Sequence, residues 1–205
     1  MRPVIFIHIP KTAGTSIRDA LHISKVYNIP PGMKRTEVHN YRFITFGHSY
    51  LPALQDEGLI DMRSSFKFCF VRNPWSRFVS LFFYHKHYQL LCGHPDTFKE
   101  FCYAFRDMEI PPVGLLHVNG MMQFNCQSDW ITSSDGGYLV NFIGRSEMLA
   151  SDMNKLTGIL RIEPVKLKML NIGEHEQYRT YYDKHTEQIV GDYYQEDIDN
   201  FGYTL

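Results

Sequence analysis

The 205-residue chain lacks most of the features that would mark a disulfide scaffold, a zinc site, a membrane span or a binder of polyanions. Its four cysteines, Cys69, Cys92, Cys102 and Cys126, form no C-x-x-C pair and show no zinc-like spacing with histidine. They read as reduced thiols, with Cys69 in a buried strand, and no metal site is expected. No apolar run approaches the roughly 18 residues a membrane helix needs. The run Val4-Ile5-Phe6-Ile7 is too short, and too poorly flanked, for a signal peptide. The expectation is a cytoplasmic protein without a membrane span. An excess of one charge is missing as well: 21 Lys and Arg face 22 Asp and Glu, a formal net charge of −1. No global field therefore exists to hold a nucleic acid or an anionic membrane, and any anion site must be local. Repeats and low-complexity segments are absent. What the chain has is apolar and aromatic material, 44% hydrophobic residues with 13 Tyr and 15 Phe. A chain of this mass should bury about 25,000 Å² on folding, enough for a core without staples. The expectation is one domain spanning residues 1–205.

Hydrophobic patterning alternates between strand and helix. Val4 to Ile9, bounded by Pro3 and Pro10, is a nearly continuous apolar run, as in a buried parallel strand, and is expected at the centre of the sheet. Thr15 to Leu21 opens a helix with Ile17, Ala20 and Leu21 on one face. Tyr41 to Phe46 predicts a second strand ending at Gly47-His48, and Pro52 starts a short helix to about Ile60. Ser65 to Val71 predicts a third strand. Asn73-Pro74 supplies an N-cap and an N1 proline for a long helix to about Gln89. Helices are predicted near 96–106, 113–124 and 146–160, with a short strand from Val140 to Gly144 and another from Leu167 to Ile172. Asp183 to Phe201 predicts one C-terminal helix. The whole predicts a three-layer α/β fold with a mainly parallel central sheet flanked by helices.

Two strand-to-helix junctions carry the chemistry. In Ile7-His8-Ile9-Pro10-Lys11-Thr12-Ala13-Gly14-Thr15-Ser16, small residues between a buried strand and a helix present successive backbone N–H groups at the helix start, an anion cradle. Lys11 adds a mobile charge, and the hydroxyls of Thr12, Thr15 and Ser16 can donate to phosphate oxygens. The nucleotide P-loop places its lysine after the glycines, whereas Lys11 precedes Gly14, so the Walker order fails. Spacing alone equally fits a plain turn with a solvent lysine. The second junction, Phe70-Val71-Arg72-Asn73-Pro74-Trp75-Ser76-Arg77, puts the forked guanidinium of Arg72 at a strand end, with Ser80 two helical turns on. Arg77 reads as a surface charge or a salt-bridge partner. Two anion sites on adjacent crossovers imply a ligand with two separated phosphates.

Both junctions resemble those of a known family, the sulfotransferases that use 3′-phosphoadenosine 5′-phosphosulfate (PAPS), especially the carbohydrate branch related to heparan sulfate 2-O- and 6-O-sulfotransferases. HIPKTAGTS, residues 8–16, looks like that family's 5′-phosphosulfate loop, and FVRNPWSRFVSLF, residues 70–82, looks like its 3′-phosphate motif. NFIGRSEML and YYQEDIDNFGY resemble further family segments of less definite role; Arg145 and Glu147 in the former suggest a structural pairing. The resemblance implies a P-loop-like sulfotransferase fold. It implies that Lys11 contacts the bridging oxygen of the phosphosulfate and that Thr12, Ala13, Gly14, Thr15 and Ser16 bind the 5′-phosphate. Arg72 and Ser80 would bind the 3′-phosphate. The product would be adenosine 3′,5′-bisphosphate, and no metal is implied, because Lys11, Arg72 and helix ends meet the donor's charge.

An alcohol acceptor needs a base, and histidine suits that task near neutral pH. Of ten histidines, His48 is the candidate: it follows Gly47 at a predicted strand end and resembles the catalytic histidine of the 2-O enzymes. Those relatives carry another histidine two residues earlier, where this chain has Phe46. His8 reads as structural, and His175 and Tyr178 resemble a late loop near the nucleotide. Asp56 and Glu57 read as solvated acids. Trp75, Tyr50 and Tyr84 are candidates for stacking on a sugar. The expected activity is sulfuryl transfer from PAPS to a hydroxyl of a glycan or glycolipid, with a neutral or small acceptor favoured by the balanced charge. The rivals are a divergent P-loop kinase and a non-catalytic nucleotide-binding module.

Overall fold

The computed structural model describes residues 3–25, 43–58, 60–88, 95–107, 123–168 and 177–205. Two compact units are present, Met1–Val71 with Asp129–Leu170, and Arg72–Ser128 with Asn171–Leu205.

The first unit is α/β. Its five strands are β1 (Val4–Ile7), β2 (Ser24–Lys25), β3 (Phe43–Thr45), β4 (Phe66–Val71) and β5 (Phe142–Arg145), and its helices are α1 (Gly14–Ala20), α2 (Leu51–Asp56) and α5 (Leu149–Leu160). The strands run in the order β2-β3-β1-β4-β5, every neighbouring pair parallel, with β1 central as the apolar run predicts. In register, Val4 faces both Phe43 and Phe66, and Ile7 faces Cys69, so the carboxyl ends of β1, β3 and β4 share one edge. One face, Val4, Phe6, Phe68 and Phe70, packs against Ile17 of α1, Leu21 at its C-cap, and Met153 and Leu156 of α5. The opposite-facing Ile5, Ile7, Cys69 and Val71 are buried as well, which is why β1 reads as a continuous apolar run rather than an alternating one. Gly144 is dictated by packing: a Cβ there would come within 2.4 Å of the Phe70 ring.

The second unit is helical. It holds α3 (Pro74–Tyr88), α4 (Phe98–Arg106), α6 (Lys184–Tyr193) and α7 (Gln195–Phe201). Its core is aromatic, centred on the fully buried Phe78, whose ring lies 4.9–6.3 Å from those of Phe98, Phe101, Phe105, Phe124 and Tyr194. Such edge and tilted ring pairs each add up to about 1 kcal/mol beyond area burial. The Tyr194 hydroxyl donates to the Phe124 carbonyl at 2.6 Å, satisfying its one buried polar atom.

Several boundaries differ from the sequence expectation. β1 stops at Ile7 because the Ile9 N–H turns back onto the Ile7 carbonyl at 3.2 Å, before Pro10. β5 is shifted to Phe142–Arg145, and α2 ends at Asp56. The single C-terminal helix is two, broken at Tyr194 (φ −99°, ψ 22°), which lets both Tyr194 and Asp197 enter the interior. Residues 162–168 carry no strand, and 169–172 lie outside the described residues, as do Tyr41, Arg42 and most of the helix expected at 113–124. Among the described residues no helix is long and apolar enough to cross a membrane.

Candidate active site

In the first unit, the loop from β1 to α1 is bent by two non-glycine residues in the left-handed region, Lys11 (φ 66°) and Ala13 (φ 63°). Each costs about 1 kcal/mol or more, a strain that the surrounding structure must hold. Part of that hold is the Thr12 hydroxyl, which is fully buried and donates to the Ile9 carbonyl at 2.9 Å. The Thr12 hydroxyl is thus engaged within the loop itself. Ala13 then N-caps α1 with no side-chain hydrogen bond. The starts of α2, α5 and α7 share this feature, whereas Thr97 and Asp183 close capping boxes at α4 and α6. An N-cap without a side-chain acceptor leaves the positive end of the helix to be met by something else. Thr15 is exposed, Lys11 and Ala13 are half-buried, and Gly14 and Ser16 are buried.

Gly14 is fixed by its neighbour rather than by its backbone angles. A Cβ on Gly14 would fall 1.9 Å from Nε2 of His8. The His8 ring stacks on Phe6 at 5.3 Å and lies 4.1 Å from the ring of His48. His48 follows β3 through a turn in which Gly47 takes a positive φ of 68° and the Ser49 hydroxyl donates to the Phe46 carbonyl at 2.5 Å. Its Nδ1 stands 2.7 Å from the backbone carbonyl of His8. A carbonyl can only accept, so Nδ1 carries the hydrogen and, in the neutral ring, Nε2 carries the lone pair. Lys11 and His48 thus follow neighbouring parallel strands at their carboxyl ends, the edge where open α/β sheets place their ligands. Two residues beyond His48, the Tyr50 phenol is kept protonated by burial and by the nearby Asp129 and Asp56 carboxylates.

In the second unit, Arg72 is half-buried and its Nε donates to the Ser76 hydroxyl at 2.9 Å. Asn73 caps α3 as expected, its Oδ1 accepting from the N–H groups of Trp75 and Ser76 at 3.1 and 3.3 Å. The Ser80 side chain, two helical turns on, is half-buried. The main chain of Arg72 is gripped by Gln127: the Arg72 N–H donates to Oε1 at 2.8 Å, and Nε2 donates to the Arg72 carbonyl at 2.8 Å.

Other candidates resolve differently. Arg77 is not a surface charge; it is fully buried and donates to the carbonyls of Asn125 and Gln123 at 3.1 and 2.5 Å. Trp75 is a core residue, 7% exposed, its indole N–H on the Glu187 carbonyl at 3.0 Å, and so unsuited to stacking on a sugar. Tyr84 is half-buried, and Asp56 and Glu57 are exposed. The side chains of Arg145 and Glu147 are exposed too, while the Arg145 N–H donates to Asp152 at 2.8 Å. Tyr178 packs on the aromatic core, and His175 and Cys92 lie outside the described residues. Cys69, Cys102 and Cys126 are free thiols. Burial pushes the Cys69 thiol far up and that of Cys102 up to about 12, so neither is a thiolate at neutral pH. Sequence reasoning missed the His8 carbonyl and Gln127. The first acts through its backbone, which leaves no side-chain signal, and the second sits in Asn125-Cys126-Gln127-Ser128, which has no motif.

A parallel α/β sheet with a strained loop, a helix start without a side-chain cap and an oriented imidazole at its carboxyl edge has the make-up of a group transferase. The comparison with protein families makes the class specific: the model of the sulfotransferase family matches residues 2–204, and the chain belongs to that family. It is an enzyme that transfers a sulfuryl group, and members of this family generally use PAPS as donor. No curated protein matches the chain.

Proposed function

We propose that the chain, acting as a single sulfotransferase domain, moves the sulfuryl group of PAPS to a hydroxyl of a carbohydrate acceptor, a glycan or glycolipid, in line and with His48 as base. The observation that carries the reading is the hydrogen bond from Nδ1 of His48 to the His8 carbonyl, which leaves Nε2 as the proton acceptor. The cradle formed by Lys11, Thr12, Ala13, Gly14, Thr15 and Ser16 is assigned to the 5′-phosphosulfate, supported by the start of α1 without a side-chain cap. Arg72 and Ser80 are assigned to the 3′-phosphate.

In the step so assigned, the acceptor oxygen bonds to sulfur while the bond from sulfur to the bridging oxygen breaks, and that electron pair passes to the departing 5′-phosphate. His48 takes the hydroxyl proton on Nε2. Lys11 and the N–H groups of the loop stand against the negative charge that grows on the leaving oxygens, an interaction stronger in the transition state than in the ground state. These cations and dipoles meet the donor's charge, so no metal is included. The free thiols fit a reducing, cytoplasmic location.

The test is His48→Ala assayed with PAPS carrying labelled sulfate and a panel of neutral glycans. Binding of adenosine 3′,5′-bisphosphate should be unchanged, while transfer should fall by about 10²- to 10⁴-fold. Undiminished transfer would remove His48 from the mechanism.

A further inference from the structure

Gln127 pairs with both main-chain groups of Arg72, donating to its carbonyl and accepting from its N–H, as a neighbouring strand residue would. Arg72 is the first residue after β4, where the sheet's own hydrogen bonds end. The carboxamide of Gln127 therefore replaces a strand partner at the residue from which the guanidinium projects. Gln127 is in turn fully buried and fixed from behind by Asp197 of α7, also fully buried. Asp197 Oδ2 accepts from the Gln127 backbone N–H at 2.7 Å and from its Nε2 at 3.2 Å. Oδ1 accepts from the backbone N–H and hydroxyl of Ser128 at 2.8 and 2.9 Å. Asn200, one helical turn on, donates to the same hydroxyl at 3.0 Å. Both ends of the Gln127 amide are engaged, and its orientation is set by chemistry, since only nitrogen can face both a carbonyl and a carboxylate.

We propose that Gln127 and Asp197 are positioning residues for recognition of the donor's 3′-phosphate: they lock the main chain of Arg72 and thereby the origin of its guanidinium. The proposal deepens the assignment of Arg72 to the 3′-phosphate and rests on it. It also gives the YYQEDIDNFGY segment a task that its sequence does not announce. A bidentate guanidinium–phosphate contact depends on placement, so loosening the main chain of Arg72 should weaken that contact while leaving the rest of the nucleotide site intact.

The experiment measures the affinities of the full chain for adenosine 3′,5′-bisphosphate and adenosine 5′-phosphate, and takes their ratio. Gln127→Met keeps the volume and removes the hydrogen bonds; the preference for the bisphosphate should fall roughly tenfold, about the worth of one or two well-made hydrogen bonds, with adenosine 5′-phosphate bound as before. A general loosening of the fold would weaken both ligands alike, and that outcome, or an unchanged ratio, overturns the proposal. Should Gln127→Met not fold, Ser128→Ala decides, because it removes one of four donors to Asp197 and leaves Gln127 in place. It should lower the same ratio roughly twofold to threefold, and an unchanged ratio overturns the proposal. Arg72→Ala in the same assay separates the two layers. If it leaves the preference for the bisphosphate intact, the 3′-phosphate assignment itself falls; if it abolishes the preference while Gln127→Met does not, only the positioning role falls.

Discussion

Gly14 shows how tightly single residues are tied together at the loop end of β1. Its missing side chain makes room for the His8 ring, and the main chain of His8 in turn fixes the tautomer of His48. Gly14→Ala would place a methyl group inside the imidazole of His8, so His8 or the start of α1 must shift. Turnover should drop at least about tenfold, as a base displaced by a fraction of an ångström loses its alignment. The control is Gly158→Ala on α5, where a Cβ meets nothing within 4 Å. That change should leave turnover alone and stabilise by up to about 1 kcal/mol. Comparing kcat and thermal midpoint for the two variants checks this, and equal behaviour would contradict it. At this scale the sequence showed which residue types gather, not which way they point. The Thr12 hydroxyl turns inward onto Ile9, and Trp75 is taken by the aromatic core, because both directions are set by packing from distant segments.

Among the elements, helix starts divide by how their first N–H groups are met. α3, α4 and α6 use the side chains of Asn73, Thr97 and Asp183, while α1, α2, α5 and α7 begin with no side-chain cap. The Asp183 cap makes a pH prediction. Its carboxyl is held well below the usual carboxylate range by the hydrogen bond from Lys99 and by the Thr186 N–H. A depressed folded-state pKa means that the stabilisation is present above the unfolded carboxyl range, near pH 4, and is lost as pH falls toward the folded value. Wild type should therefore exceed Asp183→Asn in thermal midpoint at pH 6, and the gap should narrow steadily as pH falls below about 4. A gap independent of pH would refute the role of the charge. Strands and helices were legible where period or caps spoke: the central β1 and the Asn73-Pro74 start of α3. The break at Tyr194 was not legible, because the apolar period runs through it and only the burial of Tyr194 and Asp197 shows why the helix must turn.

For the whole molecule, the family match over residues 2–204 and the parallel sheet agree with the fold and the sulfotransferase class that the two junction motifs implied. The order of the motifs was legible because backbone cradles depend on small residues at fixed spacing. The acceptor side was not, since it depends on side chains drawn from separate loops, and a net charge of −1 argues only that a polyanionic acceptor would need a local basic groove. The central claim is the donor, and it is tested most directly by a thermal-shift titration with adenosine 3′,5′-bisphosphate beside adenosine 5′-phosphate, ADP and ATP with magnesium. At about 100 times its dissociation constant a ligand adds about 2.7 kcal/mol, which for a chain of this size is a rise of roughly 5 to 11 °C. Selective stabilisation by the bisphosphate is the predicted result. Stabilisation by ATP with magnesium and not by the bisphosphate, or no response to the bisphosphate at saturating concentration, would contradict it.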